Sequence, residues 1–578
     1  MRQPHFSTLT KRWVINSPDE AEAQKLHAEL KTTSLPVCRL LISRGIKTFD
    51  EAKKFFRPSL DDLHDPFLMK NMEKAVYRIK DAIDNKEKIL VYGDYDVDGT
   101  TAVALVYSFL RDIYSEIDFY IPNRYTEGYG ISFKGIDFAA ENNFKLIIAL
   151  DCGIKSVPEV AYANSKGVDF IICDHHRPGE VVPDAVAVLD PQQDDCPYPF
   201  KELSGCGIGF KLVEAYCQAN DLPFEKACEN LDMVVVSIAA DIVPVVDENR
   251  TLAYFGLKKF NENPSRGMRA MKELMALEKE YTISDLVFTI GPRINAAGRI
   301  DDARHAVKML IAEEEDHAND SAEILHDHNI TRKKFDEDIT NEALEILYTN
   351  DDLKNKKSTV LFRPHWHKGV IGIVASRLID HFYRPTIMLT ESNGFAVGSA
   401  RSVRGFDIYN AIQECAPLLD KFGGHKYAAG LSIKLENVNA FIQRFEEVVA
   451  STIEESMLTP EIEIDLQLEL GDINEPFFKI IQQFEPFGPG NMKPVFTTQS
   501  VSDSGHSKVV GENHIKLSLK KNGARASGIA FRASAYYEKL KNRNGNPAPA
   551  FDICYTIEEN IWNGNTSLQL NVKDIKMK

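Results

Sequence analysis

No two of the nine cysteines stand in a C-x-x-C pair; Cys38, Cys152, Cys173, Cys196, Cys206, Cys217, Cys228, Cys415 and Cys554 are spread singly. That argues against both a zinc ribbon and a disulfide framework, and reduced, mostly packed thiols are expected. A long apolar run is missing too. Nothing approaches the roughly 20 consecutive apolar residues of a membrane helix. The opening MRQPHFSTLTKRW leads into polar helical sequence and does not read as a signal peptide, so the expected location is the cytoplasm. Positive charge is also short: 68 Lys and Arg face 85 Asp and Glu, a net −17. Phosphate binding depends on a local patch, however, not on the average. From residue 497 to the end, 12 basic residues face 7 acidic ones. The acidity lies elsewhere, as in AEEEDHANDSAE (312–323), which reads as a solvated helix face.

What is present centres on KILVYGDYDVDGTT (88–101). A short apolar strand breaks into a turn carrying Asp94, Asp96 and Asp98, and Gly99 ends the turn. The following TAVALVYSFLRDIY has helical apolar spacing and opens with hydroxyls suited to an N-cap. In an open α/β sheet, a strand-to-helix junction of this kind is where ligands bind. Three close carboxylates repel one another unless a cation sits among them. An EF-hand loop is excluded, because its twelfth position is Leu105 and the preceding segment is a strand. A merely solvated acidic turn remains the alternative for this stretch taken alone.

At 578 residues the chain should hold about three to five domains. Residues 1–70 read as a polar helical segment without chemistry. Residues 71–250 alternate strands and helices, with strands at DFYIPNR (118–124), KLIIALDCG (145–153), DFIICDHH (169–176) and AVAVLDP (185–191). This is the pattern of a parallel sheet. Polar residues close strand after strand: Asp94, Asp96 and Asp98, then Arg124, Asp151, and Asp174-His175-His176. Asp241, in the apolar run MVVVSIAADIVPV (233–245), is counted with these strand ends, because a buried carboxylate needs a cation, donors or a salt bridge. Residues 251–350 read as a helical connector containing GPRINAAGR (291–299) and then a charged helix of about 45 residues ending near Tyr348. A second α/β domain spans 351–455. Short strands over 456–578 suit a β-barrel of the oligonucleotide-binding (OB) type, with a β-sandwich as the alternative. Phe531, Tyr536, Tyr537 and Trp562 would be available there for stacking on a single strand.

The carboxylates and histidines suffice for two divalent cations sharing a bridging carboxylate. Hard oxygen ligands with one or two imidazoles favour Mn2+ or Mg2+, and such a pair suits phosphodiester hydrolysis. Nearby arginines would hold phosphates bidentately.

The ordered motifs GDYDVDGTT, IPNRYTEGYG, ALDCG, CDHH, SGCGIGFKL, ADIVP, GPRINAAGR, GIVASR, SARS and GGHKYAAG closely resemble those of the RecJ family of 5′-to-3′ single-strand-specific DNA exonucleases, within the DHH phosphoesterase superfamily. The resemblance covers nearly all of the chain past residue 70. It implies two α/β domains, of DHH and DHHA1 type, joined by a long helix around a groove, and a C-terminal OB-type barrel. Carried over by position, Asp94, Asp96, Asp98, Asp151, His175 and Asp241 are implied as metal ligands, with Asp151 bridging. Catalysis would involve Asp96, Asp98, Asp151, His175 and His176, the last orienting or polarising. Arg124 is implied as a phosphate contact, Ser399 and Arg401 as a clamp near the DNA 5′ end, Arg293, Asn295 and Arg299 as backbone contacts, and His425 as a substrate-side group. Interdomain ion pairing is the alternative for Arg293 and Arg299. A helicase, a single-strand-binding protein and a monomeric state are implied by the resemblance alone. Rival functions are a DHH phosphodiesterase acting on short oligonucleotides or cyclic dinucleotides, and a non-catalytic ssDNA-binding relative.

Overall fold

A computed structural model describes residues 9–31, 33–540, 549–562 and 564–578; the side chain of Trp562 lies outside the described atoms. The chain divides into two compact units, one holding Asn329–Glu463 with the residues up to Val14, the other Ile15–His328 with Ile464–Lys578.

In the larger unit, five parallel strands pair in the order Ile117–Tyr120, Lys88–Gly93, Phe144–Leu150, Asp169–Cys173, Ala187–Leu189. Their near-continuous apolar sequences are what a sheet covered on both faces requires. One face packs on helices Met72–Asp84, Val97–Ile113, Gly205–Ala219 and Leu231–Asp241, the other on Phe133–Glu141 and Val157–Ser165. The second strand in sequence lies to one side of the first and the third to the other. The connections therefore diverge between Lys88–Gly93 and Phe144–Leu150, which opens a crevice at their carboxyl ends.

The C-terminal strands run in the order Leu466–Gln467, Phe496–Asp503, Phe551–Trp562, Asn565–Met577, Ala524–Ala530, His514–Lys521, Lys508–Val510. A further pairing of Phe496–Asp503 with His514–Lys521, Ser502 opposite Lys520, closes five of them into a barrel. Sequence reading of 1–70 as a separate helical piece is refined here. Ala23, Leu26, Leu40 and Leu41, on the helices Glu20–Leu30 and Leu35–Ile42, share one buried cluster with Phe484, Phe496 and Phe551 of the C-terminal region. The segment also opens with a strand, Arg12–Ile15, paired to Glu461–Ile464. Of the aromatics proposed for stacking, Phe531 is exposed, whereas Tyr536 and Tyr537 lean on the barrel core.

The smaller unit carries a mixed sheet ordered Leu419–His425, Ala428–Lys434, Phe395–Arg401, Thr386–Ser392, Thr359–Phe362. The helices Ile371–His381 and Val438–Thr452 pack beside it.

Two expectations change. The apolar run holding Asp241 is a helix, Leu231–Asp241. A mostly apolar run of eleven residues, buried from Leu231 to Ala239, is too long for a strand, and length decides where periodicity is silent. Asp241 therefore ends a helix, and its side chain is about one-third exposed (32%). The charged segment after GPRINAAGR is two helices, Arg304–Leu310 and Glu315–Thr349. GPRINAAGR, read as part of a helical stretch, is helical, Gly291–Ile300. All nine cysteines are free thiols, eight of them buried.

Candidate metal centre

The strand Lys88–Gly93 ends at Asp94, and the next helix starts at Val97. Its N-cap is Asp96, whose carboxylate accepts from the Gly99 N–H at 3.0 Å. The hydroxyls expected to cap lie inside the first turn and bond backward, Thr100 to Asp96 O and Thr101 to Val97 O. Gly99 is required because a Cβ there would lie 2.5 Å from the Asp94 carbonyl oxygen. The helix thus starts in contact with the strand end and holds three carboxylates in one short turn.

Asp151 follows the neighbouring strand in a left-handed conformation, φ 59°, with its N–H bonded to Cys173 O at 2.8 Å. Such backbone is costly for a non-glycine residue and persists where surroundings dictate it. Asp98 sits in a nest of donors. Gly205 N–H reaches its Oδ2 at 2.7 Å, and Cys206 N–H and Ser237 Oγ reach its Oδ1 at 2.8 and 2.7 Å. Asp174 Oδ1 takes the backbone N–H groups of His175 and His176 and the His176 ring Nδ1 at 2.8 Å, and its Oδ2 takes the Ile154 N–H. This leaves His176 Nε2 facing outward, 3.2 Å from Tyr129 Oη. His175 Nε2 lies 3.2 Å from Asp151 Oδ1 and 3.6 Å from both Asp98 Oδ2 and Asp241 Oδ2.

Three overlapping sets of donor atoms, each within 4.8 Å of one another, emerge: Asp94, Asp96 and Asp151; Asp98, His175 and Asp241; Asp151, His175 and His176. Both oxygens of Asp94, Oδ1 of Asp151 and Nε2 of His175 are buried without a hydrogen bond. Buried carboxylate oxygens left without donors are expensive, and a cation is what this donor set fits.

The electrostatics agree. Burial and then the Asp96 charge push the Asp94 carboxyl well up; burial and Asp98 raise Asp96. Burial, followed by Asp98, Asp96 and Asp94, pushes Asp151 well up. Asp241 rises to about 7 through burial and Asp98. For Asp174, burial works upward but His176 and the Ile154 N–H outweigh it, so it sits low. Burial opposes charge on both histidines, yet the carboxylates win: Asp98 and Asp241 raise His175, and Asp174 raises His176. Like charges gathered in a closed site are stored repulsion that a cation relieves.

Comparison with known proteins follows the same segments. Residues 88–238 match the DHH family N-terminal domain, 355–451 the DHHA1 domain, and 464–574 the RecJ OB domain. The single-stranded-DNA-specific exonuclease RecJ of Bacillus subtilis is 36% identical over 567 residues, spanning 97% of this chain and 70% of that protein. The chain belongs to the RecJ family. RecJ of Escherichia coli is 31% identical over 566 residues, 93% of this chain and 95% of that one. The crystal structure of RecJ in complex with Mn2+ from Thermus thermophilus has a TM-score of 0.83 at 26% identity, covering 98% of this chain and 80% of that one.

The RecJ motifs outside the acidic cluster divide into those brought to it and those that are not. Arg124 stacks on Tyr95, 5.1 Å from the ring centre, beside Asp94 and Asp96. Arg299 joins the same wall, since Tyr125 Oη donates to its carbonyl and Gly298 packs on the Tyr95 backbone. Asn295 lies one turn earlier on that helix, half-buried. Arg293 is turned inward: it is buried and donates to Thr289 O and His326 Nδ1. In the smaller unit, Arg401, Ala428 and His425 form one row across three strands, with Ser399 opposite Gly430 two residues along. Arg401 Nη1 donates to Ser399 Oγ at 3.0 Å, and Gly372 makes room for both, since a Cβ there would lie 2.7 Å from Ser399 Oγ.

Sequence reasoning missed Asp190, Gln192, Ser204 and Ser237. Asp190 closes the strand Ala187–Leu189 and so obeys the rule that found Asp94 and Asp151. It is fully buried, and its Oδ1 accepts from Gln192 N–H at 2.7 Å. Gln192 Nε2 in turn holds His175 O at 2.7 Å. Ser204 carried an N-cap signal before a glycine-rich helix; Ser237 stood out only as a polar residue in the apolar run 233–245.

Proposed function

We propose that this chain is a metal-dependent exonuclease that hydrolyses single-stranded DNA from the 5′ end to 5′-mononucleotides, in DNA recombination and repair. The observation that carries the reading is the set of buried carboxylate oxygens without donors at the sheet's switch point. Asp94, Asp96, Asp98, Asp151, His175 and Asp241 would hold two Mn2+ or Mg2+ ions, with Asp151, a member of two of the donor sets, between them. Cations held there would polarise a water for attack and offset the charge that builds on the phosphate. The residues themselves supply position and protons. Asp174 fixes the His176 ring through Nδ1, so a protonated His176 presents an N–H at Nε2 to a phosphate oxygen. The P–O3′ bond breaks, the new P–O bond comes from water, and the 3′ oxygen leaves with a proton. Arg124, Asn295 and Arg299 are the substrate-side groups beside the centre. Ser399, Arg401 and His425 are those of the second domain, with Ser399 and Arg401 at the 5′ phosphate. Arg293 supports the helix that carries Asn295 and Arg299.

The division of labour we propose keeps the five segments: 1–70 as support, 71–250 catalytic, 251–350 connecting, 351–455 substrate-binding and 456–578 strand-holding. Among the described residues no helix is long and apolar enough to cross a membrane; we place the enzyme in the cytoplasm as a monomer, working beside a helicase and a single-strand-binding protein.

The test is incubation with Mn2+ or Mg2+ and 3′-labelled single-stranded DNA, against a 5′-blocked copy, a blunt duplex, a chelated control and Asp151→Ala. Mononucleotide release from the free 5′ end, lost in the chelated and mutant reactions and absent on duplex, is expected. Turnover of dinucleotides alone, or metal-independent binding without cleavage, would replace the reading.

A further inference from the structure

We infer that Ser237 and Ser204 form a buried hydroxyl relay that sets the orientation of Asp98, making both of them positioning residues for the metal centre. The inference rests on the metal reading above. Ser237, Ser204 and Asp98 are 0%, 0% and 2% exposed, so protein donors alone settle the carboxylate. Ser237 Oγ lies 2.7 Å from Asp98 Oδ1 and 2.6 Å from Ser204 Oγ. Ser204 Oγ also accepts the Gly207 N–H at 3.1 Å as N-cap of the helix Gly205–Ala219.

A hydroxyl has one proton to give, and Asp98 Oδ1 is an acceptor, taking both Cys206 N–H and Ser237 Oγ. Ser237 has one proton and gives it to Asp98, so in its 2.6 Å contact with Ser204 the proton comes from Ser204, one of whose two lone pairs holds the Gly207 N–H. The chain has one direction, and consecutive hydroxyl bonds strengthen one another. Its effect is asymmetric: Oδ1 is filled by Ser237 and Cys206 N–H, whereas Oδ2 takes one donor, Gly205 N–H, and faces His175 Nε2 at 3.6 Å. Asp98 is thus held to offer a single oxygen to the site. Without the Ser237 hydroxyl, Oδ1 loses one of its two donors and the carboxylate is held against rotation about its Cβ–Cγ bond by two hydrogen bonds in place of three.

Mn2+ titration calorimetry on the full chain, with kcat and KM on single-stranded DNA, tests the relay in Ser237→Ala, Ser204→Ala and Ser204→Thr. Partners that orient metal ligands are worth about 10- to 100-fold in affinity or activity. Ser237→Ala is expected to weaken Mn2+ by that factor and to lower kcat with KM for DNA within ~2-fold. Ser204→Ala should do the same to a smaller extent, and Ser204→Thr should restore both. If circular dichroism in chelator shows Ser237→Ala unfolded, the Ser204 pair decides alone: loss with alanine and recovery with threonine supports the relay. A folded Ser237→Ala with wild-type Mn2+ affinity and kcat overturns it, as does equal impairment of Ser204→Ala and Ser204→Thr. A wild-type chain that binds no Mn2+ overturns the metal reading itself, and is distinguishable because it needs no variant.

Discussion

Gly205→Ala should disable the centre without dismantling the fold. A Cβ at Gly205 would lie 2.7 Å from Asp151 Cβ and 3.0 Å from its Cγ and Oδ1, whereas ordinary contact begins at 3.4 Å. Something must therefore move by about 0.7 Å. Asp151 is poorly placed to yield: its φ is 59°, its N–H is tied to Cys173 O, and its carboxylate borders two donor sets. The helix is no freer, because Gly205 and Cys206 N–H grip Asp98. Misplacing a reacting group by about 1 Å can cost on the order of 100-fold in rate, so we expect kcat to fall by about one to two orders of magnitude. Overpacking costs about 1–3 kcal/mol, partly offset by the helix preference of Ala over Gly; urea unfolding in chelator should show a loss of that size or less. The control is Gly207→Ala two residues on, whose Cβ would meet Ser204 Oγ at 3.4 Å and Leu203 at 3.5 Å, ordinary contacts. It should retain activity. A Gly205→Ala enzyme within ~3-fold of wild-type kcat, a barrier change under about 1 kcal/mol, would refute the geometric argument.

Lys211 is fully buried between Glu248, at 2.7 Å, and Glu214; Lys211→Met should cost about 3–5 kcal/mol in urea unfolding by leaving two carboxylates without their cation, and an unchanged midpoint would count against the pair. Asp190 is raised by burial from its ordinary 3.8 to about 7. Its contribution to stability is complete below pH 4 and lost as pH climbs through about 7, so Asp190→Asn should flatten thermal stability over that window in chelator and gain up to about 4 kcal/mol at pH 8. An unaltered profile would show that Asp190 is not the titrating group. Ile242 holds a left-handed conformation, φ 60° and ψ 30°, next to Asp241 while 63% exposed; Ile242→Gly should raise the melting temperature in chelator by relieving about 1 kcal/mol and weaken Mn2+ binding by loosening Asp241, and a lower melting temperature would contradict the strain.

The parallel sheet and its acidic edge were readable because each rests on a local rule. Apolar strands alternate with helices, and Asp94, Asp151 and Asp174 each fall one residue past a strand. Asp241 was placed on the wrong element: an apolar run has no period, and only packing against neighbouring helices makes it helical. Arg293 and Arg299 look alike in GPRINAAGR, but a helix turns one to its own Thr289 and leaves the other at the Tyr95 wall. The role of Ser237 was invisible, because a serine in an apolar helix acquires it only from a carboxylate 139 positions earlier.

The carboxylates of the centre fall into two kinds, and the difference explains how the site is built. Asp98 and Asp174 are satisfied from inside, by helix N–H groups, a hydroxyl and a histidine. Their oxygens can be buried without a cation. Asp94 and Asp151 have buried oxygens with no donor, and burial with like charges drives their proton affinity up. In the metal-free fold they are a source of instability, and only a ligand that binds the folded state reverses it. The stability returned is RT ln(1 + [L]/Kd), about 2.7 kcal/mol when the cation stands at 100 times its Kd. On the proposed metal reading, the donor-rich aspartates are held in place before any cation arrives, Asp98 with one oxygen towards it, and the donor-poor ones would contribute the charge that their surroundings leave uncompensated. This is why Gly205 matters beyond its size. It touches both kinds through backbone alone, its N–H on Asp98 and its missing Cβ against Asp151.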